Sequence, residues 1–119
     1  MKKILVVDDD PVLGMMLQEM LEWKGFWVKL LRIPQQTIPV SLEENIDLIV
    51  LDKLISGTDG TEVCQDLRNH DVLKDIPVLM ITAMHNARES CIAAGASDFI
   101  TKPFEMDQFL QKINQLVEA

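Results

Sequence analysis

Residues 3–10 read Lys-Ile-Leu-Val-Val-Asp-Asp-Asp, an apolar run that ends in three consecutive acids. Four aliphatic residues in a row, with no polar residue between them, are typical of a strand that is covered on both faces, as the strands of parallel sheets are. Asp10 can cap a helix whose first residue is Pro11, because the missing N–H of proline costs nothing at that position. These residues therefore predict a buried strand, an acidic strand end and a helix, in that order.

The same alternation of strand and helix continues along the chain. Further strands are predicted at residues 26–31, 46–51, 77–81 and 98–101, and further helices at residues 61–69, 86–94 and 105–117. Between residues 32 and 45, Pro34 and Pro39 leave room for only a short second helix. Five strand and helix pairs joined by helix-sized crossovers predict an α/β protein, a flavodoxin-like, doubly wound three-layer (βα)5 sandwich with a parallel sheet of order 2-1-3-4-5.

The composition is that of an ordinary globular domain that is strongly acidic. The 119 residues are 48% hydrophobic, and nineteen acids against eleven bases give a formal net charge of -8. We expect a single domain over residues 1–119 with no effector domain. The negative charge removes the long-range attraction that nucleic acids and anionic membranes require, so we expect neither as a partner.

Other features of the sequence indicate the compartment and the core. We expect no secretory signal, because only four apolar residues stand between the N-terminal lysines and Asp8, and the sequence has no apolar segment of membrane-spanning length. Cys64 and Cys91 lie in helix-type sequence and belong to no metal-binding motif, which indicates buried thiols in a reducing compartment. We therefore expect a cytoplasmic protein. The seven methionines, Met15 and Met16 among them, are expected to pack in the core and between helices.

Most of the residues that can carry chemistry stand directly after a predicted strand. Asp8 and Asp9 end the first strand, Asp52 the third, Thr82 the fourth and Lys102 the fifth. Sites in open parallel sheets form outside the carboxyl ends of the strands, so these residues should share one shallow pocket. That pocket would hold three carboxylates, a hydroxyl group and an ammonium group.

A divalent cation would resolve the repulsion among these carboxylates. Two carboxylates about 4 Å apart repel by roughly 4 kcal/mol at an effective dielectric constant near 20. Mg²⁺ takes oxygen ligands and is commonly held by one or two carboxylates, waters and a phosphate. Asp8 and Asp9 are adjacent and suit the metal, whereas Asp52 stands alone and suits attack on phosphorus, which yields an acyl phosphate. The sequence has no nucleotide-binding motif, so the expected donor is not bound ATP.

Five segments, taken in order, resemble the receiver domain of two-component response regulators. They are residues 3–10, residues 47–52 (Asp-Leu-Ile-Val-Leu-Asp), residues 58–60 (Thr-Asp-Gly), residues 76–83 (Ile-Pro-Val-Leu-Met-Ile-Thr-Ala) and residues 94–104 (Ala-Gly-Ala-Ser-Asp-Phe-Ile-Thr-Lys-Pro-Phe). The resemblance covers essentially the whole chain. The order and separation of the five segments carry it, since no single motif is decisive.

The resemblance implies a phosphoacceptor and a metal site. Asp52 would receive the phosphoryl group from a phosphohistidine on a sensor histidine kinase or a phosphotransfer protein. Asp9, Asp52 and the backbone carbonyl of Leu54 would bind Mg²⁺ directly, and Asp8 would act mostly through a bound water. The domain would be a signalling module and not a turnover enzyme.

The resemblance also implies a conformational switch. Thr82, Ala83 and Lys102 would contact the phosphoryl group, and Phe99 would turn inward as the Thr82 hydroxyl moves to the phosphoryl group. The peptide bond before Pro103 would be cis. The output would be altered binding of a downstream protein at the face made by the fourth helix, the fifth strand and the fifth helix.

Some positions depart from the family pattern or modify the pocket. Ser56 replaces a proline that many members have four residues after the phosphoacceptor, so we expect a looser loop. Lys53 stands where an apolar residue is more common, and it either perturbs the pocket or points to solvent. Leu54 and Met84 flank the pocket and are apolar, which we expect to hinder the approach of water and to prolong the phosphorylated state.

Two other functions remain open on the sequence alone. One is a phosphorylation-independent pseudo-receiver, which binds its partners without phosphate. The other is an aspartyl-phosphate hydrolase, because Asp8 and Asp10 resemble a DxD nucleophile motif. The length argues against the hydrolase, since such enzymes usually need a larger sheet and a cap over the substrate.

Overall fold

The five apolar runs of the sequence form one sheet with helices on both faces. A computed structural model describes residues 1–118. The strands are β1 (Lys3–Val7), β2 (Trp27–Leu31), β3 (Leu48–Asp52), β4 (Leu54–Ile55), β5 (Thr58–Asp59), β6 (Val78–Thr82) and β7 (Asp98–Thr101). The helices are α1 (Pro11–Trp23), α2 (Thr37–Glu44), α3 (Gly60–Arg68), α4 (Arg88–Ala93) and α5 (Met106–Glu118).

The sheet has the predicted topology. Its strand order is β2-β1-β3-β6-β7 with every pair parallel, while β4 and β5 form a separate antiparallel hairpin. Without the hairpin the five strands follow the order 2-1-3-4-5, so the flavodoxin-like fold class is confirmed. In the register of the sheet Val7 lies beside Leu51, and Thr82 lies beside Thr101. The polar residues at the carboxyl ends of these strands therefore meet at one edge of the sheet.

Alternate residues of the strands fill two separate cores. Ile4 and Val6 face α1 and α5, where Phe109 is fully buried. Leu5 and Val7 face the opposite side, which α2, α3 and α4 cover. The uninterrupted apolar runs are thus explained, because both faces of every strand need apolar side chains. The two cysteines are buried in the second core as free thiols, as predicted.

The weak stretch between β2 and β3 folds into a short helix. A 3₁₀ turn at Pro34–Gln36 leads into α2, whose third residue is Pro39. A proline is tolerated there because the first N–H groups of a helix have no intrahelical acceptor. The buried hydroxyl of Thr37 donates to the carbonyl of Pro34 at 2.7 Å and so joins the turn to the helix. The prediction of one short second helix is confirmed.

Several predicted boundaries move by one or two residues. The third strand ends at Asp52 and the fourth at Thr82, one residue later than predicted in each case. Both polar residues are therefore the last ladder residues of their strands and are held by sheet hydrogen bonds. The fourth helix is shorter than predicted and begins at Arg88.

Helix α1 is apolar on both its inner and its outer side. Leu17 and Leu21 are buried against the sheet, as its periodicity predicts. The outer side exposes four apolar side chains, which are Val12, Met15, Met16 and Trp23. The expectation that Met15 and Met16 pack in the core is therefore wrong, because it rested on residue type and not on the periodicity that marks the buried side. None of the helices within residues 1–118 is both long enough and apolar enough to cross a membrane.

Candidate functional site

The strand ends form an open cleft of about 460 Å³ at the carboxyl edge of the sheet. Its lining includes Asp9, Asp52, Thr82, Ala83 and Lys102, which come from four different strand ends. Leu54 and Met84 form part of its rim, and both side chains are largely exposed. The structure thus brings together the residues that the sequence placed at this edge. Their chemical roles remain predictions.

Asp52 is held from two directions at the centre of the cleft. The ammonium group of Lys102 donates to Asp52 Oδ2 at 2.8 Å, and the backbone N–H of Leu54 donates to Asp52 Oδ1 at 3.1 Å. Burial alone would lower the pKa of Lys102, but the carboxylate of Asp52, assisted by Asp8 and Asp10, raises it above its usual value. Lys102 is therefore a permanent cation beside the Asp52 carboxylate. The Lys102–Pro103 peptide bond is cis.

Asp8 lies almost completely buried next to Asp52. Its Oδ1 accepts a hydrogen bond from the N–H of Asp10 at 2.9 Å, whereas its Oδ2 has no hydrogen-bond partner. Burial raises the pKa of Asp8 to about 6, the Asp10 N–H opposes that rise, and the nearby Asp52 carboxylate adds to it. A buried carboxylate oxygen without a donor is costly. The orphaned oxygen fits a site in which a cation supplies the missing charge.

Asp9 does not point with the other two acids. It is exposed, and its Oδ2 accepts hydrogen bonds from the N–H of Ser56 at 2.7 Å and from the Ser56 hydroxyl at 3.3 Å. No three His, Cys, Asp or Glu side chains within residues 1–118 are grouped closely enough to hold a metal ion. Mg²⁺ needs only one or two protein carboxylates, because waters and a phosphate complete its octahedron. Asp8 and Asp52 therefore fit the ion, while Asp9 lines the same cleft with its Oδ2 bound to Ser56.

The loop after Asp52 forms a hairpin, while the looser loop expected from Ser56 stays a prediction. Leu54 pairs with Asp59, and Ile55 pairs with Thr58. Ser56 and Gly57 form the turn with φ angles of 50° and 81°. Two consecutive positive φ angles match the twist of a tight hairpin, but the usual sequence signal is Asn-Gly or Asp-Gly. The hairpin was missed for that reason.

Two residues next to the acceptor strand have structural roles that the sequence did not reveal. Lys53 is partly buried, and its ammonium lies 3.5 Å from Asp59 Oδ1, so it neither points freely to solvent nor contacts Asp52. Burial alone would raise the pKa of Asp59, but hydrogen bonds from Thr61 and the charge of Lys53 hold it below its usual value. Gly60 begins α3 so close to the end of β3 that a Cβ atom would collide with the carbonyl oxygen of Asp52.

The two proposed switch residues lie in different surroundings. Thr82 is buried at the floor of the cleft, and its Oγ1 accepts a hydrogen bond from the N–H of Met84 at 3.0 Å. Phe99 lies outside the cleft lining, half-buried against the core that contains Cys64 and Cys91. Ile92 on α4 is exposed.

A family model described as the response regulator receiver domain matches residues 4–114. The DNA-binding dual master transcriptional regulator RpaA of Synechocystis sp. is 36% identical over 121 residues, which cover 98% of this chain and 49% of that protein. The response regulator MprA of Mycolicibacterium vanbaalenii is 32% identical over 117 residues, which cover 97% of this chain and 50% of that protein. The chain thus spans about half the length of these curated relatives.

Solved structures agree with this assignment. The receiver domain of the sensor histidine kinase PA1611 from Pseudomonas aeruginosa PAO1, with a magnesium ion coordinated in its active-site cleft, matches with a TM-score of 0.89 at 25% identity, over 99% of this chain and 98% of that one. The BeF3-activated N-terminal receiver domain of Klebsiella pneumoniae RstA matches with a TM-score of 0.90 at 26% identity, over 99% of this chain and 100% of that one. By sequence, sheet order and cleft, the chain belongs to the receiver domain family of two-component response regulators.

Proposed function

We propose that this receiver domain accepts a phosphoryl group on Asp52 and switches the binding of a partner protein in response. The donor is a phosphohistidine on a sensor histidine kinase or a phosphotransfer protein. The observation that carries the proposal is the pairing of Asp52 with the Lys102 ammonium at 2.8 Å beside the orphaned Oδ2 of buried Asp8. This arrangement presents a charged acceptor and leaves room for a second cation.

The transfer needs mainly positioning and charge neutralisation from the protein. A carboxylate oxygen of Asp52 forms the new P–O bond while the P–N bond to the donor imidazole breaks, and the electron pair of the broken bond stays on the imidazole nitrogen. Lys102 offers its ammonium to the phosphoryl oxygens. The Thr82 hydroxyl, whose oxygen already accepts the Met84 N–H, still has its proton to donate, and the backbone of Ala83 lies beside it.

We assign Mg²⁺ as the cofactor of this cleft. Asp8, Asp9, Asp52 and the carbonyl of Leu54 are the oxygen donors at the edge of the sheet, and such hard ligands are those that Mg²⁺ prefers. The ion would offset the charge of the acids and of the incoming phosphoryl group. Support comes from the unpartnered Asp8 oxygen and from the magnesium ion in the PA1611 receiver domain.

The phosphorylated state would be read at the face of α4, β7 and α5. Movement of the Thr82 hydroxyl toward the phosphoryl group would let Phe99 turn inward from its half-buried position. The residues proposed for this face are Met84, Arg88, Ile92, Phe99, Phe104 and Gln108. The partner is a protein, because the net charge of -8 disfavours nucleic acid and anionic membranes. We place this signalling in the cytoplasm, since both cysteines are free thiols.

Acetyl phosphate provides the direct test. Incubating the purified chain with acetyl phosphate and MgCl₂ should add the mass of one phosphoryl group to the intact protein, and omitting Mg²⁺ should suppress the addition. The addition should map to the peptide that contains Asp52. A chain that stays unmodified, and that gives no spectral response to beryllofluoride with Mg²⁺, would instead be a pseudo-receiver that binds partners without phosphate.

The apolar rim of the cleft should control how long the phosphoryl group survives. Leu54 is 65% exposed and Met84 is 51% exposed, and both border the space from which water would attack the acyl phosphate. Leu54→Asn should shorten the phosphorylated half-life several-fold, because an amide can hold and orient a water there. The decay is measured by mass spectrometry after acetyl phosphate is removed. Leu42→Asn is the matched control, because Leu42 is an exposed leucine on α2. Equal half-lives in the wild type, Leu54→Asn and Leu42→Asn would contradict the prediction.

A further inference from the structure

Ser56 holds the carboxylate of Asp9 through two donors from an unusual backbone conformation. Its N–H and its hydroxyl both donate to Asp9 Oδ2, at 2.7 Å and 3.3 Å. Its φ angle of 50° is left-handed, which side-chain-bearing residues seldom adopt. The tight turn of the hairpin requires this angle, and the same turn places both donors of Ser56 on Asp9.

The carboxylate that Ser56 holds belongs to the cleft lining but is not grouped with the other two acids. Asp8 and Asp52 lie together, and Asp8 Oδ2 is buried without a partner. Asp9 would be the third acid, but no three such side chains within the described part of the chain are close enough to hold a metal ion. The sequence supplies the acids for a cation site, and Ser56 turns one of them toward the hairpin.

We propose that Ser56 is a positioning residue that competes with a divalent cation for Asp9. While Ser56 holds Asp9, the cation site lacks its third carboxylate. When Asp9 turns toward Asp8 and Asp52, the hairpin of β4 and β5 loses the contact that ties it to the end of β1. Cation binding and hairpin opening are therefore coupled, and each weakens the other. This role of Ser56 rests on the proposed function, because it assigns Asp9 to the Mg²⁺ site.

A titration of the full chain with MgCl₂ alone tests this coupling without any phosphoryl chemistry. We expect the amide proton of Ser56 to move upfield and to exchange faster with solvent as Mg²⁺ saturates, because it loses a charge-assisted hydrogen bond. The amides of Ile55 and Thr58 should also exchange faster as the hairpin opens. Magnetic resonance reports each of these amides separately, so the hairpin can be followed apart from the cleft.

Variants of Ser56 test the same competition by affinity. Ser56→Gly removes the hydroxyl and keeps the N–H, and it should bind Mg²⁺ about threefold more tightly by calorimetry. Ser56→Pro removes both donors and should bind about tenfold more tightly. Ser90→Ala is the matched control, because it removes an exposed serine hydroxyl from α4, outside the cleft lining. Its affinity for Mg²⁺ should equal that of the wild type.

The outcomes separate this role of Ser56 from the proposed function. Mg²⁺ that binds the wild type while the Ser56 amide stays unchanged overturns the competition and leaves the proposed function standing. An unchanged affinity in Ser56→Gly overturns it too, and this variant decides over Ser56→Pro because proline also breaks the turn. If Mg²⁺ moves no cleft resonance and acetyl phosphate adds nothing to the protein, the proposed function falls together with the role of Ser56.

Discussion

Asp52→Asn is expected to take up no phosphoryl group under conditions that phosphorylate the wild-type chain. The amide has no carboxylate oxygen to attack phosphorus, although it can still accept the hydrogen bond from the Leu54 N–H. It also loses the ion pair that Lys102 makes with Asp52 at 2.8 Å. The measurement is phosphotransfer from candidate sensor kinases, with uptake followed by intact mass. The expected effect is complete loss of uptake and not a slower rate.

The control for this experiment is Asp66→Asn, which removes an exposed acid from α3 at a distance from the cleft. It lowers the net negative charge by the same amount and should be phosphorylated like the wild type. Thermal unfolding of both variants should be cooperative, which shows that lost uptake is not lost folding. Phosphoryl uptake that persists in Asp52→Asn would place the acceptor on another residue and would contradict the assignment.

The position of the cleft could be predicted because one physical rule governs it. Parallel strands leave their carboxyl ends at the same edge, so the polar residues after four apolar runs must meet. Asp52 and Thr82 could be assigned to that edge from the sequence, and the structure places both as the last residues of their strands. A boundary error of one residue did not matter, since the residue after a strand and its last residue lie at the same edge.

The orientation of individual side chains could not be predicted in the same way. Asp9 follows Asp8 in the sequence and has the same chemistry, yet it faces the hairpin because of a turn whose first residue, Ser56, has a positive φ angle. No local pattern in Ser-Gly specifies that turn strongly. The outer side of α1 was misjudged for a different reason, because Met15 was assigned to the core by residue type, whereas the helical periodicity marks Leu17, and not Met15, as buried.

Lys53 shows how a departure from a family pattern acquires its meaning only in three dimensions. The sequence left open whether it perturbs the pocket or points to solvent. In the structure its side chain is partly buried and pairs with Asp59, which also caps α3 through the N–H of Thr61 at 2.9 Å. Lys53 therefore links the end of the acceptor strand to the start of α3. Its charge is used locally, and Lys102 remains the cation that contacts Asp52.

Asp8→Asn is expected to stabilise the metal-free protein at pH 8, although Asp8 is one of the acids proposed to bind Mg²⁺. The pKa of Asp8 rises from 3.8 to about 6 on folding, chiefly because the side chain is buried. The folded chain therefore binds the proton more tightly than the unfolded chain, so stability is lost as the pH rises from about 4 to about 6. Above that range the loss is complete and amounts to about 3 kcal/mol. Asparagine carries no charge and can still accept the Asp10 N–H, so we expect it to recover about 2 kcal/mol.

The pH dependence and the response to Mg²⁺ identify the cause of this gain. The midpoint of thermal unfolding of Asp8→Asn should exceed that of the wild type by about 10 °C at pH 8 without metal. The difference should be small at pH 4, because Asp8 is then protonated in the folded chain and close to its pKa of 3.8 in the unfolded chain. Mg²⁺ should stabilise the wild type and so reduce the difference between the two unfolding midpoints at pH 8. The bound cation neutralises the Asp8 charge that asparagine removes. Asp9 is exposed, so Asp9→Asn should change the midpoint of thermal unfolding little in metal-free buffer. A gain of equal size at pH 4 and pH 8 would show that packing, and not the buried charge of Asp8, limits the stability of this cleft.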